Sequence, residues 1–305
     1  MNEKLVSVII PSYNRGFILE KTIPSYCQKN VGEIIIIDDA STDNTEEVIK
    51  KIQKTISILK YIKLTKNRKQ TYAKNKGIIN AKYPYIYFGD DDSFLIENSI
   101  SILLETLIKN NVDVVGAKAL YLNKKDDLLD INKFIQEKNI FAKNIYDIVD
   151  LKHWKINFSY SVRNPIEVPF CQACALVKTN IARKVMFDTI YKGTALREET
   201  DFFTRINKAG YKIYYNSNAI QINYPRDILN KGKTDNRKSF KYTIKANFYD
   251  IKNTMIYFYR HYDFLKNKYL LKDSKYRYMV KYVLLHILKK MKRLKSYIRE
   301  RIINE

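Results

Sequence analysis

Residues 33–44 read EIIIIDDASTDN, four consecutive isoleucines running into two aspartates and a cluster of turn-forming residues. A strand with one wet face alternates apolar and polar side chains. An unbroken β-branched run belongs instead to a strand covered on both faces, as in a parallel sheet flanked by helices. Working outward from the strand Glu33–Asp38, comparable runs occur at Val6–Ile10, Lys60–Leu64, Tyr85–Phe88 and Asp113–Ala117. Between them, stretches near 16–29, 43–56, 69–81 and 94–110 place apolar residues at helical spacing. Strand and helix in alternation predict a doubly wound α/β unit. Ligands of such sheets bind beyond the carboxyl ends of the strands. Three polar clusters fall at those ends: PSYNR (11–15), DDASTDN (38–44) and GDDDS (89–93).

The third cluster, in YIYFGDDDS (85–93), has two readings. Asp90, Asp91, Asp92 and Ser93 precede an apolar run (Phe94, Leu95, Ile96, Ile100, Leu103, Leu104, Leu107) and would suit a helix N-terminus. One aspartate suffices for that, and three adjacent carboxylates repel one another unless a divalent cation, a hard ion that takes oxygen ligands, relieves them. Asp38 and Asp39 at a second strand end share the predicted edge, which favours a ligand that brings its own cation. A further acidic group lies in LREETDFFTRINKAGYKIYY (196–215), where Phe202, Phe203 and Ile206 form a helical face. Gly210 ends that helix, a strand follows, and Glu198, Glu199 and Asp201 sit in its first turn. Standing alone, these acids would be read as complementing the helix dipole.

The chain has 305 residues, 46% of them apolar and 13% aromatic, enough for a large core. Its three cysteines, Cys27, Cys171 and Cys174, are an odd number without a second metal-binding pair, and they predict buried thiols in a reducing compartment. The apolar run near the N-terminus ends at Pro11, too short for a signal peptide, and no stretch approaches the ~20 apolar residues of a membrane span. The expectation is a cytoplasmic protein, or one peripheral on the inner face of the cell membrane. Net charge is +23, concentrated late: residues 226–305 hold 22 Lys and Arg against 7 Asp and Glu, a net of +15. Within them, residues 276–302 set Tyr276, Val280, Val283, Leu284, Ile287, Met291, Leu294, Ile298 and Ile302 along one helical stripe among lysines and arginines. Such a helix suits an anionic membrane surface. It equally suits packing on the rest of the chain or on a second copy in a homo-oligomer.

Taken in order, VSVIIPSYNR, IIIIDDASTDNT, YIYFGDDDS and REETDFFTRINKAGY resemble the inverting glycosyltransferases of family 2, over about residues 5–215, and KNTMIYFYRHY (252–262) resembles the helix that follows in many members. The resemblance implies the GT-A fold, a Rossmann-like, mostly parallel sheet flanked by helices, here with a C-terminal helical extension. It implies a catalytic domain over 1–225, with a nucleotide-binding half (1–117) and an acceptor half (118–225), and a basic helical region over 226–305. Pro11 and Tyr13 would pack on the nucleotide base, and Asp39 would accept a hydrogen bond from uracil or ribose, hence a UDP-sugar donor. Lys74, in YAKNKG, takes the place of an arginine in the family's ARNxG pattern and would meet the donor. Asp90 and Asp92 form the DxD motif, with Asp92 the direct ligand of Mg²⁺ or Mn²⁺ and Asp90 or Asp91 serving the ribose or the outer shell. Glu199 falls where the catalytic base is found, with Glu198 before it; the family's usual pair is ED, so the second acid here is one methylene longer. The acceptor would be a hydroxyl on a glycan or lipid-linked glycan. Many relatives carry a histidine after the strand that follows this helix, but AIQINYPRD (219–227) has none, so the metal shell would lean on phosphate oxygens and water.

Other functions fit less well. A nucleic-acid-binding protein, suggested by the charge and 25 tyrosines, would place acids where phosphates approach, and no nucleic-acid module is present, so no nucleic acid is expected. Neither GxGxxG nor GxxxxGK[ST] occurs, which argues against dinucleotide and P-loop enzymes. A nucleotidyltransferase would carry a glycine-rich basic loop in place of PSYNRGF. The alternative that remains is a basic nucleic-acid- or membrane-binding protein with a degenerate, non-catalytic domain of the same fold, which the intact acids at both motifs disfavour.

Overall fold

Ile34, Ile35, Ile36 and Ile37 are all fully buried, yet they serve two cores. Ile34 and Ile36 pack with Leu19, Ile49 and Leu103, whereas Ile35 and Ile37 pack with Ala73, Ile78 and Phe202. The strand is therefore covered on both faces, as its unbroken apolar run requires.

The computed structural model describes residues 3–123, 130–225, 240–285 and 288. In chain order, β1 (Val6–Ser12), α1 (Gly16–Thr22), a 3-10 turn (Ile23–Tyr26), β2 (Val31–Asp38), α2 (Thr45–Gln53), β3 (Leu59–Lys63), α3 (Gln70–Asn80) and β4 (Tyr85–Phe88) form the first half. There follow β5 (Ser93–Leu95), α4 (Ser99–Lys109), β6 (Val114–Tyr121), α5 (Ile131–Glu137), α6 (Ile145–Ile148), and the short strands β7 (Val149–Asp150), β8 (Lys155–Ile156) and β9 (Ile166–Glu167). Then come β10 (Ala175–Lys178), α7 (Thr179–Val185), α8 (Glu198–Lys208), β11 (Ile213–Asn223) and α9 (Phe240–Tyr269), with residues 275–285 again helical. The main sheet runs β3-β2-β1-β4-β10-β6-β11-β5, with β9 alongside β11. β1, β2, β3 and β4 are mutually parallel, as are β6 and β11; β10, β5 and β9 run against their neighbours. The fold is thus a mostly parallel sheet flanked by helices, as the sequence predicts.

One boundary differs from expectation in a way that bears on the acids. The helix predicted over 94–110 begins only at Ser99, because Ser93–Leu95 instead form β5 and pair antiparallel with Gln221–Asn223 of β11. Asp90–Asp92 therefore do not cap a helix, and the residue before α4 is Asn98, in a left-handed conformation. The acids occupy a turn pinned on both sides by strands.

The C-terminal helices are part of the core. Tyr257, Phe258, Tyr262 and Leu265 of α9 and Tyr278 beyond it are buried in the same cluster as Phe202 and Ile35. Among residues 275–285 the predicted stripe faces outward, with Tyr276, Val280 and Leu284 69%, 59% and 56% exposed and Val283 half-buried, while Tyr278, which lies off that stripe, is 5% exposed. Ile287 and residues 289–302 of that stripe lie outside the described residues.

Candidate functional site

β1, β2 and β4 are parallel, so their carboxyl ends meet at one rim, where a cleft of about 340 Å³ opens. Pro11, Ser12, Tyr13 and Arg15 from the end of β1, Asp39 from the end of β2, and Asp90, Asp91 and Asp92 from the end of β4 line it. Lys69, Gln70 and Ala73 at the start of α3 close one side, and Gly193, Thr194 and Ala195 before α8 another. Of the two acids in IDDAS, only Asp39 reaches the cleft. Asp38 turns inward, accepting from the Ser41 amide at 2.8 Å and the Tyr61 hydroxyl at 2.6 Å. Asp39 accepts from the backbone amides of Arg68 (2.6 Å) and Lys69 (2.7 Å), which fixes the loop entering α3. Burial nevertheless raises its carboxyl above the ordinary range.

The acid turn is held by Tyr26. Its buried hydroxyl donates to the Asp90 carbonyl (3.0 Å) and receives the Asp90 amide (3.2 Å). A side chain at Gly89 would meet the Tyr26 ring at 2.8 Å, so glycine is what allows this approach. Asp90 also accepts from Gln221 Nε2 at 3.1 Å, and the Asp92 carbonyl from the Tyr224 amide at 3.0 Å. The strand that follows α8 therefore does arrive beside the acids, bringing the Gln221 amide to Asp90. Arg15 reaches Asp91 at 3.3 Å and Asp92 at 3.4 Å. Even so, burial and the neighbouring carboxylates, Asp92 and Glu199 for Asp90 and Asp92 for Asp91, push both carboxyls up to about 7. Negative charge is in excess here.

The second acid group is organised differently. Lys74 does not line the cleft: it is fully buried, its ammonium 2.9 Å from Glu198 Oε1 and 2.6 Å from Glu199 Oε1, over the Phe187 ring. Glu198 is itself buried, with its other oxygen on the Thr71 hydroxyl at 2.6 Å, and burial raises its carboxyl. Glu199 accepts from the Ala173 amide at 3.1 Å, and 27% of its side chain is exposed. Asp201, on the same turn, is fully buried among His261 (2.7 Å), Tyr191 (2.8 Å) and Arg205 (2.7 Å), so it anchors α8 to its surroundings. Arg15, Thr71 and Gln221 also serve the site, although no motif of the sequence marks their roles. Arg15 was within reach, since it closes the PSYNR cluster; the other two are set by distant pairings.

Residues 7–177 match the family model described as glycosyl transferase family 2. The chain belongs to that family. Among its relatives is the GalNAc(5)-diNAcBac-PP-undecaprenol beta-1,3-glucosyltransferase of Campylobacter jejuni, 36% identical over 115 residues, 36% of this chain and 37% of that protein. Another is the poly(ribitol-phosphate) beta-N-acetylglucosaminyltransferase TarP of Staphylococcus aureus, 34% identical over 152 residues, 48% of this chain and 45% of that one. The matched stretches thus span less than half of either relative. Among solved structures, S. aureus TarS 1–349 in complex with UDP-GlcNAc superposes with a TM-score of 0.53 at 15% identity, covering 86% of this chain and 74% of that one, which shows the shared fold.

Proposed function

We propose that this glycosyltransferase moves a sugar, with inversion, from a nucleoside diphosphate donor, a UDP-sugar, to a hydroxyl of a glycan or lipid-linked glycan. The observation that carries the reading is the excess of carboxylate at the rim, Asp90 and Asp91 both displaced to about 7, facing a cleft whose far wall leads into Glu198 and Glu199. Among the described residues no three His, Cys, Asp or Glu side chains form a ready-made metal cage. The acid turn still fits a divalent cation, because crowded oxygens with one guanidinium between them lack positive charge. Asp92 and Asp90 would hold Mg²⁺ or Mn²⁺, with phosphate oxygens and water completing its shell. Bound there, the ion would offset the charge that develops on the departing diphosphate.

The remaining work falls to the chain. Pro11 and Tyr13 would flank the base, and Asp39, held by two backbone amides, would accept from base or ribose. Glu199, the reachable member of its pair, would take the proton of the attacking hydroxyl as the new bond to the sugar carbon forms and the bond to the diphosphate oxygen breaks. Lys74 belongs, on its contacts, with the acid pair: it supplies the one positive charge between two carboxylates, while Glu198 is occupied by Thr71 and Lys74. The exposed stripe Tyr276, Val280 and Leu284, beside Arg277 and Lys281, would rest on an anionic bilayer that carries the acceptor. No helix among the described residues is long and apolar enough to cross a membrane.

The deciding experiment is a thermal-shift screen of UDP-, GDP- and dTDP-sugars with and without Mn²⁺. Stabilisation that needs both the metal and a UDP-sugar is expected, and Asp92→Asn should abolish the metal dependence. Donor binding indifferent to metal and to Asp92 would overturn the reading.

A further inference from the structure

The segment entering α8 carries a conformation its sequence would not choose. Ala195 and Arg197 both have positive φ, 55° and 80°, without being glycine. Such backbone is costly for a residue with a Cβ and persists where the surroundings dictate it. The surroundings here are the C-terminal helices. Thr194 Oγ1 donates to Asp250 at 2.5 Å, and Asn253 and the Lys192 backbone exchange hydrogen bonds of 3.3 and 2.8 Å. Arg197 Nε donates to Thr254 Oγ1 at 3.2 Å and Nη2 to the Tyr282 hydroxyl at 3.4 Å, with the guanidinium 5.1 Å above the Trp154 ring. Asp250, Asn253 and Thr254 share one face of α9, so residues 192–197 form a strap stitched to it. That strap lines the cleft at Gly193–Ala195 and ends directly on Glu198 and Glu199.

We infer that Arg197 is a positioning residue: it relays the placement of α9 and of the helical residues 275–285 to the first turn of α8, and so sets where Glu199 stands relative to the cleft. Its carbonyl is already bonded into α8, accepting the Asp201 amide at 2.8 Å, so displacement of the guanidinium moves the turn that bears the acid pair. Catalysis would then depend on Tyr282 and Thr254, residues that do not line the cleft. The inference rests on the reading of Glu199 as the base.

The test uses the full chain and UDP release from the UDP-sugar that stabilises it most with Mn²⁺. Arg197→Gly removes the side chain while relieving the backbone, so the melting temperature should stay close to wild type. Misplacement of a reacting group lowers kcat by about 10- to 100-fold, and donor KM should change by less than about threefold. Arg197→Lys, which keeps the charge over Trp154, should restore much of the rate. Tyr282→Phe should lower kcat in the wild-type background and cause no further fall in Arg197→Gly, because the two act as one unit. A wild-type kcat in Arg197→Gly, or strictly additive losses, overturns the inference. Glu199→Gln separates the two levels: if it keeps wild-type turnover, or if the wild-type protein itself neither binds nor turns over any nucleotide sugar, the assignment of the base fails and this inference with it.

Discussion

The ammonium of Lys74, fully shielded from solvent, lies 2.6 Å from Glu199 and 2.9 Å from Glu198. A single buried cation thus holds two adjacent carboxylates at the start of α8. Removing one partner of a buried charge cluster leaves the others uncompensated, at a cost of about 3–5 kcal/mol. Lys74→Met is therefore expected to lose stability of that order in urea unfolding. A loss under about 1 kcal/mol would show that the two acids do not need their lysine.

The acid turn sets a pH dependence. Asp90 and Asp91 are displaced to about 7 by burial and mutual repulsion, against about 3.9 in an unfolded chain. Between those values the folded state binds more protons than the unfolded one, so the contribution of these groups to stability is greatest below about pH 4 and is lost as pH rises through about 7. In EDTA, the melting temperature of Asp90→Asn relative to wild type should climb across that window. A difference that is flat with pH would contradict the crowding of the turn.

How much of this was legible in the sequence varies with the range of the interactions involved. The isoleucines of β2 announced a strand covered on both sides, because burial on two faces writes itself into four successive residues. The run Phe94, Leu95, Ile96 fitted a helix equally well, and what decided for β5 was its pairing with Gln221–Asn223, invisible locally. The acids themselves could be named from sequence, but their partners could not. Thr71 and Gln221 are ordinary polar residues until a sheet and a helix place them against Glu198 and Asp90. The C-terminal helical residues show the same limit, for tertiary packing buries Tyr278, off the predicted stripe, and leaves Val280, on it, outside.

Phe202 joins the two acid groups through the core. Its ring stacks on Phe187 at 4.1 Å and meets Phe88, the last residue of β4, edge-on at 5.7 Å. Truncating a fully buried phenylalanine costs about 3–5 kcal/mol, so Phe202→Ala should lower the denaturation midpoint accordingly in urea. A cost below about 1 kcal/mol would mean that the contact between α8 and β4 is not what holds them.

The proposed membrane association can be tested apart from folding because the two faces of helical residues 275–285 differ. Tyr276→Ser, Val280→Ser and Leu284→Ser combined leave Tyr278 and Tyr282 in place, so the melting temperature should be retained. Co-sedimentation with phosphatidylglycerol vesicles should fall at least about tenfold, since each aliphatic side chain withdrawn from the interface forfeits about 1.5–3 kcal/mol. Unchanged sedimentation would remove the stripe from any role at a bilayer.

Trp154 is the chain's only tryptophan, and its ring contacts Phe170, Tyr257 and Phe258 beneath the Arg197 guanidinium. Nature has thereby installed a single indole chromophore at the junction of the cleft strap, α9 and the helical residues 275–285. Excited at the long-wavelength edge of the aromatic absorption, where the 25 tyrosines scarcely absorb, its emission belongs to that junction alone, so a spectroscopist can watch the joint shift during turnover without attaching a dye.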